Sequence, residues 1–281
     1  MPLAVPPLRS PLPAALTSLT LADLPAWQAR RRPGAAALRF GGVAASHAAL
    51  RIAPLRDYSI AARMHAVFLA ATEIAEAALE FPIVFVHSGE LDAGGAPVVS
   101  PVALLGLAQG ENLYVEGSRW QARYVPAFLR RYPFVSGRRG PMIDMAWSGL
   151  SPLEGEPLYD EAGRPTPTLA AALDFLARFE AEALRTRAFT ARLAALDLLQ
   201  PLRADATLPD GQTLSVEGFR VVDEERLRAL PDAAVLELHR NGMLMLAQLH
   251  CASLAHMRRL VEMKARREAR QRSGEAHGPT G

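Results

Sequence analysis

Six consecutive residues, His87-Ser88-Gly89-Glu90-Leu91-Asp92, bring an imidazole, a hydroxyl and two carboxylates into one short stretch. Such a set can act as a general base, an orienting acid or a weak metal site. It follows the run PIVFV (82–86), whose β-branched and aromatic residues read as a strand, and ligand-facing groups tend to gather where strands end. His87, Glu90 and Asp92 are therefore the candidate catalytic residues. Ser, Gly and Asp are also ordinary turn formers, so the same six residues fit a solvated turn.

A second cluster comprises Trp120, Arg123, Tyr124, Phe128, Arg130, Arg131 and Tyr132. The spacing predicts a short helix over 124–132, with Pro126 in its first turn and Pro133 ending it. On such a helix Arg123 and Arg130 share a face with Ala127, and Tyr124, Phe128 and Arg131 line the next one. The resulting cationic and aromatic surface suits a peptide or an anionic partner. Trp120, Arg123, Tyr124, Arg130 and Arg131 are the candidate binding residues; the competing reading makes Tyr124 and Phe128 core and the arginines solvated. A third candidate is the basic tail, where Arg258, Arg259, Lys264, Arg266, Arg267, Arg270 and Arg272 face Glu262 and Glu268. Cations at a helix end also simply suit the helix dipole.

Several chemistries are excluded by pattern. No Gly-x-Gly-x-x-Gly, Gly-x4-Gly-Lys-Ser/Thr or Gly-x-Ser-x-Gly occurs, which removes the usual phosphate cradles and serine elbows, and Lys264, the sole lysine, is the one residue left for Schiff-base chemistry. His250 and His256, six apart, point to different faces of one helix, and His250 reads as a core histidine. Cys251, the single cysteine, precludes an intramolecular disulfide or a multi-Cys zinc site and reads as a small buried hydrophobe. No metal and no cofactor is expected.

The elements that must position these groups come from a chain of 281 residues, half apolar and 21% charged, long enough for a substantial core. Lys and Arg total 31 against 29 Asp and Glu. So small an excess does not make the broad basic surface of a nucleic-acid-binding domain, and no nucleic-acid partner is expected. Prolines interrupt the first residues, which argues against a secretory signal peptide. The uncharged run 241–257 is short for a membrane span and reads as a core helix. A cytoplasmic location is expected, with export lacking a conventional signal peptide left open.

Residues 1–47 read as a flexible Pro/Ala-rich leader with one short helix over 24–31 capped by Asp23, residues 48–265 as a single domain, and 266–281 as a basic, disordered tail. Strands are expected at 51–55, 66–69 and 82–86, and a hairpin joining 98–107 to 112–116. A further strand pair is expected around 137–140 and another around the Asp210-Gly211 turn. Helices are expected over 71–79, over 169–185 behind a Thr166 or Thr168 cap, over 189–198, over 224–230 behind Asp223, and over 233–270 with a break near Asn241-Gly242. The fold class is α+β, with a mixed sheet in the N-terminal half and a helix-rich C-terminal half. A stripe of Leu246, His250, Leu254, Met257 and Val261 would bury against the rest of the chain or form a homodimer.

The phrases PIVFV (82–86), PVALLGL (101–107), GENLYVEGSRW (110–120) and YVPAFLRRYPF (124–134), followed by GEPLYDEAGRPT (155–166), TARLAALDLLQPL (190–202), LSVEGFRVVDEERLRALPD (214–232) and LHRNGMLMLAQLHCASL (238–254), resemble the SapC family of bacterial proteins over about residues 60–262. The family is named for a gene in a surface-layer locus, and similar proteins occur near flavin-dependent halogenase-like, cupin-like and outer-membrane receptor proteins. The resemblance implies an envelope-linked or protein-modification setting and carries over no catalytic residue. The expected function is a non-catalytic accessory or binding protein engaging a protein or peptide partner. The alternatives are an enzyme acting on a peptide or small anionic substrate through 87–92, and a surface-layer component.

Overall fold

The computed structural model describes residues 17–20, 35–37, 49–92, 94–137, 140–207, 211 and 213–275. The helix expected over 24–31 lies outside these residues, as do the middles of the turns at 138–139 and 208–210. Within the stretch read as a leader, β1 (Thr17–Thr20) and β2 (Ala35–Ala37) are strands. They are followed by β3 (Arg51–Ile52), β4 (Ala66–Phe68), a 3₁₀ turn at Ala71–Glu73 and the short helix α1 (Ile74–Ala77).

Next come β5 (Ile83–Leu91) and β6 (Pro97–Leu104), which pair with each other as a hairpin. This corrects the expected hairpin between 98–107 and 112–116. The closing turn is at 92–96, where Asp92 accepts hydrogen bonds from the Gly94 and Ala96 amides. Residues 115–116 instead form β7 (Val115–Glu116), paired with β8 (Arg119–Trp120). The strand-like signal of 112–116 was real, but its partner is local.

The helix α2 (Ala127–Arg130) leads into β9 (Phe134–Gly137) and β10 (Gly140–Asp144), which pair antiparallel, with β2 on the far side of β10. Two short strands, β11 (Leu150–Ser151) and β12 (Glu156–Pro157), flank β3.

A single helix, α3 (Pro167–Ala195), replaces the two expected over 169–185 and 189–198. No Gly or Pro interrupts 168–200; the apolar stripe merely thins where the helix passes from one core to the other. At about 1.5 Å per residue its 29 residues span about 43 Å. Leu169 and Leu176 belong to a smaller core with Phe134, Ile143, Leu158 and Tyr159, whereas Phe189 and Leu193 join the main core. Thr166 caps the helix by accepting from the Leu169 amide, and proline occupies its first turn.

The strands β13 (Leu199–Thr207) and β14 (Thr213–Val222) form the expected hairpin. In the main sheet the order is β1-β14-β5-β6-β4, with β13 also paired to β14; only β1 runs parallel to its neighbour. The fold is α+β, as the periodicities indicate. Residues 83–86 are buried without alternation, as a strand covered on both faces requires.

The C-terminal part is α4 (Glu224–Arg228), α5 (Asp232–Arg240), α6 (Met243–Ser253) and α7 (His256–Glu275). Asp223 caps α4 through the Glu225 and Arg226 amides. The break expected at Asn241-Gly242 is present: Gly242 has φ +77°, a left-handed conformation that an L side chain resists. A second break at 254–255 separates α6 from α7.

The stretch from 266, expected to be a disordered tail, stays helical to Glu275. It is tied down by its own charges. Arg267 donates to the carbonyls of Asn112, Leu113 and Val115, and Lys264 bridges Glu111 and Glu268. The stripe of Leu246, Leu254, Met257 and Val261 packs on this chain's own main core, with His250 fully buried in it. Among the described residues no helix is long and apolar enough to cross a membrane.

Candidate functional site

The 87–92 segment is the exposed end of β5 rather than a loop. Its polar groups build the hairpin. Between the His87–Val99 and Leu91–Pro97 pairs β5 advances four positions while β6 advances two, so the strand bulges. Ser88 accepts from the Glu90 amide, Glu90 pairs with Arg187 of α3, and Asp92 holds the turn. Among the described residues no hydrogen bond joins His87 to Glu90 or Asp92. Nor do any three His, Cys, Asp or Glu side chains gather there as metal ligands would.

The 120–132 segment is organised by two carboxylates that flank α1, Glu73 just before it and Glu80 just after it. Glu80 accepts from the backbone amides of Arg123 and Tyr124. Glu73 is buried, with Oε1 accepting from the Tyr124 hydroxyl at 2.6 Å and the Ala127 amide at 2.6 Å, and Oε2 accepting from the Ala70 amide at 2.9 Å. Burial, followed by the hydrogen bond to Glu73, holds the Tyr124 hydroxyl protonated well above the usual phenol range. The helical part is shorter than expected: Arg123 and Tyr124 precede α2, so Arg123 and Arg130 do not share a helix face.

The predicted binding residues separate into layers. Trp120 packs among Tyr58, Phe81 and Tyr114 and donates its indole N–H to the Tyr124 carbonyl, on the core side. The Arg123 side chain is exposed. Tyr124 lies behind Arg130, whose guanidinium stands 5.8 Å from the Tyr124 ring centroid and 5.3 Å from that of Phe175 on α3. Arg131 stacks in turn on Phe128 at 4.3 Å and Phe179 at 5.0 Å.

Arg130 and Arg131 form one wall of a groove of about 280 Å³. Thr168, Ala172 and Phe175 enter from the first turns of α3, and Ile52, Pro54 and Leu55 from the segment around β3. Tyr132 and Trp147 also line it, and Glu156 contributes a carboxylate from β12. Tyr132 is fixed by its hydroxyl donating to the buried Asp144 at 2.8 Å, and its ring meets Trp147 edge-on at 5.9 Å. The Trp147 indole lies so close to Gly149 that a Cβ there would stand 2.4 Å from it, so only glycine admits this seat.

Sequence reasoning missed Trp147, Phe175, Ile52 and Glu156, which come from four separate segments. The one available signal was Phe175 with Phe179: an i, i+4 aromatic pair is more than an apolar stripe requires when arginines lie elsewhere to be stacked. Cys251 is half-buried and its thiol is pushed up to about 11, mainly by burial, which leaves it a poor nucleophile at neutral pH.

A family model described as SapC matches residues 44–260. The chain belongs to the SapC family. Neither the curated proteins nor the solved structures give a significant match. The SapC match takes in both acidic anchors, α2 and every part of the groove, and ends within α7.

Proposed function

We propose that this SapC-family protein is a non-catalytic accessory protein of the bacterial cytoplasm that holds a peptide segment of a partner in the groove between α2, α3 and β3. The setting is an envelope-linked or protein-modification system. The observation that supports this most is that each polar or aromatic wall is held by contacts of its own. Arg130 is backed by Tyr124 and Phe175, Tyr132 by Asp144, and Trp147 by its seat on Gly149. A ligand entering such a groove orders few side chains, which lowers the cost of binding. Stacked guanidiniums beside aromatic and aliphatic walls match an anionic group attached to an apolar body. The 87–92 strand end spends its comparable groups on its own turn and on Arg187.

The test is a peptide array probed with the purified chain and with Phe175→Glu, which places a carboxylate beneath Arg130. Phe175 is half-buried, so the variant is first checked for an unchanged circular dichroism spectrum. The expected result is a restricted set of binders, each weakened at least tenfold in the variant. Binders retained undiminished by Phe175→Glu, or no binders to the wild-type chain, would overturn the reading.

A further inference from the structure

We infer that the groove receives the free C-terminal carboxylate of a peptide whose last residue is apolar, with the carboxylate on Arg130. This rests on the peptide-binding reading above. The Arg130 guanidinium lies over the Phe175 ring, 5.3 Å from its centroid, and its Nε donates to the Val125 carbonyl at 2.9 Å. One terminal nitrogen makes a long contact of 3.4 Å with the Tyr124 hydroxyl. No carboxylate pairs with Arg130 among the described residues. Its other N–H groups make no hydrogen bond among the described residues, and a guanidinium fork is suited to a carboxylate.

Size and composition narrow the occupant. At about 280 Å³ the groove falls just below the range for ligand pockets, roughly 300–1,000 Å³. It has the dimensions of a chain end, not of a segment running through. Beside the arginine the walls are Phe175, Ala172, Pro54 and Ile52, which gain only from an apolar group. A C-terminal residue with an apolar side chain brings both features from one Cα. An internal Asp or Glu brings the charge without the apolar body. Glu156 also lines the groove, so a peptide acidic along its length meets a like charge that a single terminal carboxylate, directed at Arg130, avoids.

The experiment uses hexapeptides ending in Phe or Leu, each with an N-terminal fluorophore, as the free acid and as the C-terminal amide. A third set is amidated and carries an internal Asp. Binding to the full chain is read by fluorescence polarisation. Free acids should bind about tenfold or more tighter than their amides, the usual weight of a charge-assisted pair. Arg130→Gln should abolish the difference between acids and amides, whatever it does to the affinity they share. Arg130→Lys, which keeps the charge and loses the fork, should fall between and covers the case in which the Gln variant does not fold. Equal binding of acid and amide, both lost in Phe175→Glu, overturns the terminal-carboxylate inference and leaves the peptide groove standing; so does tighter binding of the internal-Asp set. No binding in any set overturns both.

Discussion

Replacing Glu73 by Ala is expected to destabilise the chain by about 3–5 kcal/mol. The buried carboxylate accepts three hydrogen bonds, from the Tyr124 hydroxyl and from the Ala127 and Ala70 amides. Removing it leaves three donors desolvated and unpaired, each costing roughly 1–3 kcal/mol before relaxation. Glu73→Gln should cost less, about 1–2 kcal/mol. Its remaining oxygen still serves Tyr124 and Ala127, and only the Ala70 amide faces a donor in place of an acceptor. The melting temperature of the Ala variant should fall by roughly 10 °C. Tyr124→Phe in the Glu73→Ala background should add little, because the two groups belong to one network. Chemical denaturation of the four variants measures this; a Glu73→Ala loss under about 1 kcal/mol, or full additivity with Tyr124→Phe, would refute it. The effect bears on the groove as well, since Glu73 fixes the entry into α2 and hence the base of Arg130.

The second large effect is on acid stability and comes from His250. Its ring is fully buried 4.7 Å from that of Phe85, with Nε2 accepting from the Val222 amide at 3.0 Å. That bond places the proton on Nδ1. Its carbonyl accepts from the Ser253 hydroxyl, which in turn accepts from the Ile83 amide, so α6 is joined to β14 and β5 at one place. Burial pushes the imidazole down to about 3 from its ordinary 6.5. The folded form then stays neutral while the unfolded chain takes up a proton below pH 6.5. Stability is therefore complete above that pH and is lost as pH falls from 6.5 towards 3, at about 1.4 kcal/mol per pH unit. Between pH 7 and 5 this one group accounts for about 2 kcal/mol. His250→Gln keeps an acceptor for Val222 and does not titrate. It should lose about 2 kcal/mol less than the wild-type chain over the same interval, and an identical pH slope for both would contradict the assignment.

The features that follow from local rules were legible in the sequence. The caps at Thr166 and Asp223, the break at Gly242 and the doubly buried strand at 83–86 each depend on a few neighbouring residues. What failed depended on a choice between two local turns or on partners far along the chain. The pairing of β6 with β5 turns on an Asp92 turn that competes with an equally plausible loop at 108–111. The persistence of α7 to Glu275 depends on carbonyls around residue 113 accepting from Arg267. The groove shows the same division. Arg130 and Arg131 stood out by type, but Trp120 and Arg123 did so too, and only the positions of Glu73, Glu80 and Phe175 separate the pair that lines a groove from the pair that does not. Trp147 gives no signal in isolation, because its seat is made by the absence of a side chain at Gly149.

The most direct test of the groove as the binding site is amide hydrogen exchange on the full chain, with and without a saturating hexapeptide free acid ending in Phe. Slowed exchange is expected at 52–55, 130–134 and 168–175, with the hairpin of β5 and β6 unchanged. Protection centred on the hairpin, or on the outer face of α7 with those three segments unaffected, would contradict it.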